Sequence, residues 1–285
     1  MVSIFVDSLC GVPENRIKKM YGDTVKVLPY LFTIKKRGEE EAREVLTSEM
    51  SAKEVWVRKG QGEDIKTSRP ALNVWQDMIK AEFKRGYDVL YIGSTSKMTG
   101  ALQSVKVIGN LLKKDFPNNI LETIDTGYAT VYQEEVLLSL IGLVNKMDFF
   151  KNAVVNIIPH VEARVSLTSL KTFVDNNRID PNNLKYKFPV IKMKDGLVEV
   201  DKEFDSQKEA IDYIVSLIPR PDNGIQNVTV SCAPDVFSAP EIEKEYFENE
   251  VFKDFGCKVE ATVGEINSCM LTYLGEHSIG FAWSV

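Results

Sequence analysis

The segments Thr67-Ser68-Arg69-Pro70 and Gly93-Ser94-Thr95-Ser96-Lys97-Met98-Thr99-Gly100 concentrate side-chain hydroxyls. The second directly follows Val89-Leu90-Tyr91-Ile92, a run that reads as a buried strand because it is short, apolar and rich in branched and aromatic residues. After it, Met98, Leu102, Val105, Ile108 and Leu112 recur at helical spacing. The hydroxyls therefore fall where a strand ends and a helix begins. A helix N-terminus carries unpaired N–H groups and partial positive charge, so it receives anions. A neutral hydroxyl there donates to a carboxylate or phosphate without adding a full charge. Capping alone also favours Ser and Thr. One helix needs one cap, however, and this stretch holds Ser94, Thr95, Ser96 and Thr99.

The elements needed to position these groups alternate along the first half. Val2 to Val6, Val25 to Leu31 and Ile120 to Ile124 read as further strands. Asn15 to Met20, Ala71 to Arg85 and Tyr128 to Asn145 read as helices, with Pro70 suited to the first turn of the second. Lys35 to Leu46 reads as a charged helix or loop. Repeated strand–helix units predict a mostly parallel sheet with helices on both faces. Ligands of such sheets sit at the carboxyl ends of the strands, where Asp7-Ser8, Ser94-Thr95-Ser96 and Asp125-Thr126 all fall.

In the second half, Phe188 to Lys192 and Leu197 to Val200 flank Met193-Lys194-Asp195-Gly196, a hairpin signal. Ser206 to Ile218 and Pro240 to Phe255 read as helices; Asn227 to Cys232, Cys257 to Val263 and Ser278 to Trp283 read as strands. The expected architecture is a two-lobed α/β chain, with an N-terminal lobe over 1–159 and a C-terminal α/β lobe with a mixed sheet over 160–285.

Composition limits the function. The 285 residues carry a net charge of −6, which disfavours non-specific nucleic-acid binding. The cysteines, Cys10, Cys232, Cys257 and Cys269, form no C-x-x-C pair and accompany only two histidines, so a structural zinc site is not expected. They read as reduced, mostly buried thiols of a cytoplasmic protein. The apolar run Val136 to Val144 falls well short of the roughly 20 residues of a membrane span, and no stable membrane insertion is expected. No G-x-S-x-G, G-x-G-x-x-G or P-loop pattern occurs, so neither a serine hydrolase nor a bound nucleotide cofactor is expected.

In these motifs the chain resembles the DegV family of bacterial fatty-acid-binding proteins. Thr67-Ser68-Arg69-Pro70 matches the family pattern T-S-x-P, and Thr95 to Val105 resembles S-S-x-x-S-G-T-x-x-S-A, with Thr95 and Thr99 in place of its first and third serines. Val6-Asp7-Ser8 to Val12-Pro13 resembles its D-S-x-x-D-L-P opening, and Ile124-Asp125-Thr126 its I-D-S strand end. Leu167-Thr168-Ser169-Leu170 to Asp180 resembles T-L-x-x-L…G-G-R-I-S, and Phe188-Pro189-Val190-Ile191 with Asp195-Gly196 resembles K-P-I-L…D-G. The motifs span the chain in the family's order. Asn176-Asn177 replaces the two glycines. Asn267 to Gly275 stands where the family shows G-A-H-x-G-P-G-A, without the histidine; His277 lies seven positions beyond Met270.

The resemblance implies a long-chain fatty acid enclosed between two lobes. Its carboxylate would meet Thr67, Ser68, Ser94, Thr95, Ser96, Thr99 and Gly100, with Arg178 and a displaced His277 as further candidates. It also implies that a separate ATP-dependent fatty acid kinase subunit acts on the bound acid, so that this chain is a carrier and not itself an enzyme. At about 0.8 kcal/mol per buried methylene, the tail of such an acid supplies most of the affinity. The hydroxyls orient a carboxylate that is otherwise costly to bury. The alternative reading is an enzyme or kinase-linked subunit acting on a small phosphorylated or carbonyl metabolite, with phosphate at the hydroxyl-rich helix start. A long apolar tunnel distinguishes the first from the short polar pocket of the second.

Overall fold

A computed structural model of the chain describes residues 1–139, 147–180, 182, 187–221, 224–237 and 240–285. The first sheet is parallel, in the order β2-β1-β6-β7, built from β1 (Val2–Asp7), β2 (Val25–Leu28), β6 (Asp88–Gly93) and β7 (Leu121–Asp125). β1 and β6 are buried nearly throughout, as strands covered on both faces must be. Helix α3 (Leu72–Lys84) turns Trp75, Ile79 and Phe83 inward, and α4 (Ala101–Leu112) turns Ala101, Val105, Ile108 and Leu112 inward. These are the i, i+4 and i, i+3 spacings of one helix face.

The second sheet is mixed, in the order β10-β9-β8-β13-β11-β12. Its strands are β8 (Val161–Ser166), β9 (Phe188–Lys194), β10 (Leu197–Phe204), β11 (Ile225–Cys232), β12 (Lys258–Glu265) and β13 (Ile279–Ser284). β9 and β10 form the expected hairpin, with Asp195 and Gly196 both at positive φ in its turn. Helix α8 (Gln207–Leu217) packs on this sheet, capped by the Ser206 hydroxyl. The molecule is thus α/β, with one parallel and one mixed sheet.

A third, antiparallel sheet, β4-β3-β5, was not anticipated. The expected strand Val25 to Leu31 is two strands: Pro29 interrupts it, and β3 (Leu31–Lys35) leaves for the small sheet. Within Lys35 to Leu46, read as helix or loop, Arg43–Leu46 is β4, paired with β3. Its charges mislead because only Val45 of that strand is buried. β5 (Asp64–Ser68) completes the sheet and carries Thr67 and Ser68. Helix α1 (Glu14–Tyr21) lies between β1 and β2 in sequence, and α2 (Ala52–Gly60) between β4 and β5.

Helix α5 is described over Val131–Ser139; the expected helix extended to Asn145, and its end lies outside the described residues. It begins at Val131 because Thr130 has φ 66°, a conformation unusual for a β-branched residue. The later helices are α6 (Met147–Ile157), α7 (Lys171–Asp175), α9 (Pro240–Tyr246) and α10 (Ser268–Leu274). The stretch Pro240 to Phe255, read as one helix, leaves the α-helical pattern after Tyr246 and continues as a π-turn over Phe247–Val251.

The two large sheets share one core. Trp75, Val105 and Ile108 from the parallel-sheet side join Val165, Phe173, Ile191 and Met270 in a single apolar cluster. A buried ionic network reinforces it. Arg16 of α1 reaches Glu134 of α5 at 2.5 Å, and Ser231 of β11 donates to the same carboxylate at 2.9 Å. Thr229 donates to Glu135 at 2.5 Å. Burial pushes both carboxyls above the usual carboxylate range. A Cβ at Gly264 would fall on the Arg16 guanidinium, so any side chain there would displace Arg16 from Glu134.

Candidate functional site: hydroxyl pairs above an apolar slot

The loop after β6 is anchored from below by Asp7 at the end of β1. This carboxylate is fully buried. It accepts from Leu9 N–H at 2.8 Å, Tyr91 hydroxyl at 2.5 Å, Ser94 N–H at 3.1 Å and Ser94 hydroxyl at 2.8 Å. Ser94 also meets Gln133 Oε1 at 2.8 Å. Its hydroxyl therefore holds the loop down and does not face outward. Thr95 is buried as well; its hydroxyl donates to Gly196 carbonyl at 2.9 Å, tying the loop to the β9–β10 turn. A Cβ at Gly196 would lie 2.6 Å from that hydroxyl oxygen, so this contact requires glycine.

The other hydroxyls are more accessible. Ser96 is exposed, and its N–H donates to the Asp125 carboxylate at 3.3 and 3.2 Å. Thr99 and Tyr30 form a hydroxyl pair at 2.6 Å. Thr67 and Tyr273 form a second pair, also at 2.6 Å. In such a pair one proton bridges the two oxygens, and the other remains free to donate to a ligand. Burial raises both tyrosine pKa values, keeping both phenols protonated as donors. Ser68 is exposed at the end of β5, and its hydroxyl meets no partner among the described residues.

Two arginines clamp this arrangement through backbone carbonyls. Arg69, the variable residue of the first segment, donates to Gly100 carbonyl at 3.1 Å and Ser104 hydroxyl at 2.5 Å, joining the two segments. A Cβ at Gly100 would press on that guanidinium at 3.1 Å. Arg178 donates to Lys97 carbonyl at 3.3 Å and Met98 carbonyl at 2.7 Å. His277 stands apart from the hydroxyls: its Nδ1 lies 2.6 Å from Asp235 Oδ2, and its carbonyl accepts from Gln207. The structure thus joins the Thr67–Arg69 segment to Gly100 and Arg178 to the loop before Thr99, leaves Ser96 exposed beside Asp125, buries Ser94 and Thr95, and places His277 elsewhere.

Tyr30, Arg69 and Tyr273 escaped the sequence reading. Arg69 and Tyr273 lie within segments already singled out, but one is the free position of its motif and the other sits in the stretch that departs from the family pattern. Tyr30 carries no local signal; only the fold brings it to Thr99.

Next to these pairs lies an apolar slot. Met98, neighbour of Thr99, and Leu274, neighbour of Tyr273, both line it. Val165, Phe173, Met193 and Met270 add further walls, and Thr130 contributes from its positive-φ position. The slot leaves a cavity of only about 30 Å³, about one water's share of the liquid, so it is apolar as expected of a tail site but is not an open long tunnel. Methionine is unbranched and changes rotamer readily, so Met98, Met193 and Met270 form walls that yield.

Fold and site together are those of an α/β protein with two large sheets and one small one, and with hydroxyl donors beside an apolar slot. The family model described as "Uncharacterised protein, DegV family" matches residues 1–285, and this chain belongs to the DegV family. A DegV domain-containing protein of Clostridium acetobutylicum is 22% identical over 226 residues, covering 76% of this chain and 77% of its own. Among solved structures, a fatty-acid-binding DegV family protein from Thermus thermophilus superposes with TM-score 0.78 at 19% identity, covering 100% of this chain and 99% of its own. A stearic acid-binding protein from Eubacterium ventriosum gives 0.77 at 20% identity, covering 99% and 97%. DegV from Bacillus subtilis, described as a fatty acid binding protein, gives 0.74 at 18% identity, covering 99% and 98%. All of the described cysteines are free thiols. Among the described residues, no helix is long and apolar enough to cross a membrane, and no cluster of His, Cys, Asp and Glu is suited to hold a metal ion.

Proposed function

We propose that this chain binds a long-chain fatty acid such as palmitate, with the tail in the methionine-lined slot and the carboxylate on the hydroxyl pairs. The observation that carries this reading is the adjacency of each pair to the slot: Met98 follows Lys97 in the hydroxyl loop and precedes Thr99, and Leu274 follows Tyr273. A tail of fourteen methylenes contributes on the order of 11 kcal/mol gross, which outweighs moving three flexible side chains. Each charge-assisted bond to the carboxylate adds roughly 1.5–3 kcal/mol. Residues 1–159 and 160–285 act in this reading as two lobes, and the slot draws walls from both. Native mass spectrometry and titration with palmitate and oleate test it. Saturable binding is expected; absence of any bound acid in both measurements overturns it.

The head group gives a sharper prediction. Thr67→Val and Tyr273→Phe each remove one hydroxyl of a pair at 2.6 Å. Each should weaken palmitate by about 1–3 kcal/mol in a binding titration. Methyl palmitate, which has no anionic head, should change far less. Equal losses for acid and ester would assign both residues to folding instead.

The reading extends to presentation of the acid to an ATP-dependent fatty acid kinase. Purified alone, the chain should form no acyl phosphate from palmitate and ATP; formation should begin on adding the kinase subunit. Arg178 is exposed and grips the carbonyls of Lys97 and Met98, so it holds the loop that such a partner would meet. ATP-dependent acyl phosphate formation by the chain alone would refute the carrier role.

A further inference from the structure

A second cavity, of about 240 Å³, shares Leu274 with the slot and is also lined by Tyr273. Its walls come from α2 (Trp56, Lys59), the segment after β8 (Thr168, Ser169, Thr172) and the end of α10. Lys59 is the basic residue among them. Its ammonium has no carboxylate within ion-pair distance among the described residues, and its one hydrogen bond, to Thr272 carbonyl, is long at 3.5 Å. Several other part-buried cations among the described residues do touch an acid: Arg16 has Glu134, Lys26 has Glu82, and Arg164 and Lys192 have Asp201. Burial pushes the Lys59 pKa down, and the nearby charges of Glu276 and Asp64 only partly oppose this. The amine thus has acidic charge nearby but no carboxylate in direct contact among the described residues.

The groups facing it suit an oxyanion. Thr168, Ser169 and Thr172 bring three hydroxyls, each able to donate. Thr168 donates to Glu276 carbonyl at 3.1 Å and can turn that proton to a better acceptor; Ser169 accepts from Lys171 N–H at 3.1 Å and keeps its own proton free. Glu276 is the acidic residue of the lining, exposed at the rim. We infer that this cavity is an oxyanion site, with Lys59 as its cation and the Thr168, Ser169 and Thr172 hydroxyls as donors, taking the phosphoryl group of a free phosphate or of an alkyl phosphate whose chain passes Leu274 into the slot. The oxyanion site stands on the cavity's own residues; only the alkyl phosphate as occupant rests on the slot of the fatty-acid reading.

Trp56 makes the cavity observable. Trp75 and Trp283 are buried, while Trp56 is part-exposed on the cavity wall. Inorganic phosphate and hexadecyl phosphate are titrated at constant ionic strength, with Trp emission and calorimetry as readouts. Saturable binding of at least one probe is expected, weakened at least tenfold in Lys59→Gln and retained in Lys59→Arg. Similar affinities for the two probes identify a free phosphate as occupant; affinity at least tenfold higher for hexadecyl phosphate identifies a headgroup continuous with the slot. No saturable binding of either probe to the wild type, or unchanged affinity in a folded Lys59→Gln, overturns the site. Palmitate titrated against the same proteins separates the two claims: palmitate binding without phosphate binding rejects this inference alone, and the reverse rejects the fatty-acid reading alone.

Discussion

Asp7→Ala should lower unfolding free energy by about 4 kcal/mol or more, read from the midpoint of urea denaturation. The carboxylate is fully buried and accepts four hydrogen bonds, from two backbone N–H groups and two hydroxyls. Tyr91 and Ser94 can rotate their hydroxyls toward other acceptors. The N–H groups of Leu9 and Ser94 cannot, and each buried donor left unpaired costs about 1–3 kcal/mol. Asp7→Asn keeps the shape but turns one acceptor into a donor, so about half the loss is expected. The same substitutions should raise amide exchange across the hydroxyl loop, because Ser94 fixes where that loop starts. An Asp7→Ala protein within about 1 kcal/mol of wild type would show that the loop is held by something else.

The second large effect belongs to Arg16 and Glu134. Their side chains are only 16% and 2% exposed, and their partner atoms are 2.5 Å apart. Removing one member strands the other charge inside the protein, at a cost of about 3–5 kcal/mol. Arg16→Met and Glu134→Leu should each show that loss in urea denaturation. The double substitution should recover most of it, because an apolar pair of similar volume avoids both desolvation penalties. Losses that simply add would mean that the two residues are not energetically coupled.

The parallel sheet was legible because its strands are buried on both faces and its helices keep a regular apolar spacing, as in Trp75-Ile79-Phe83. The small sheet was not. β4 presents one buried residue, Val45, in a charged surrounding, and Pro29 hides the division between β2 and β3. At the site, the hydroxyl types and their place at a strand end were readable, but not which hydroxyls face outward. Ser94 and Ser96 look alike in sequence; Asp7, far away along the chain, captures the first and leaves the second exposed. The tyrosine halves of both pairs come from distant elements, so no local pattern announces them.

The place of β13 in the mixed sheet bears on how the protein is made. β13 alone joins the half-sheet β10-β9-β8 to the half-sheet β11-β12. During synthesis, both half-sheets leave the ribosome before residues 279–284 do. Until then the inner edges of β8 and β11 carry unpaired backbone groups beside apolar side chains, the kind of edge that recruits other chains. The parallel sheet, complete by β7, has no such delay. Assembly of these sheets is therefore staged, with the aggregation-exposed interval of the mixed sheet ending only when β13 slots into its centre.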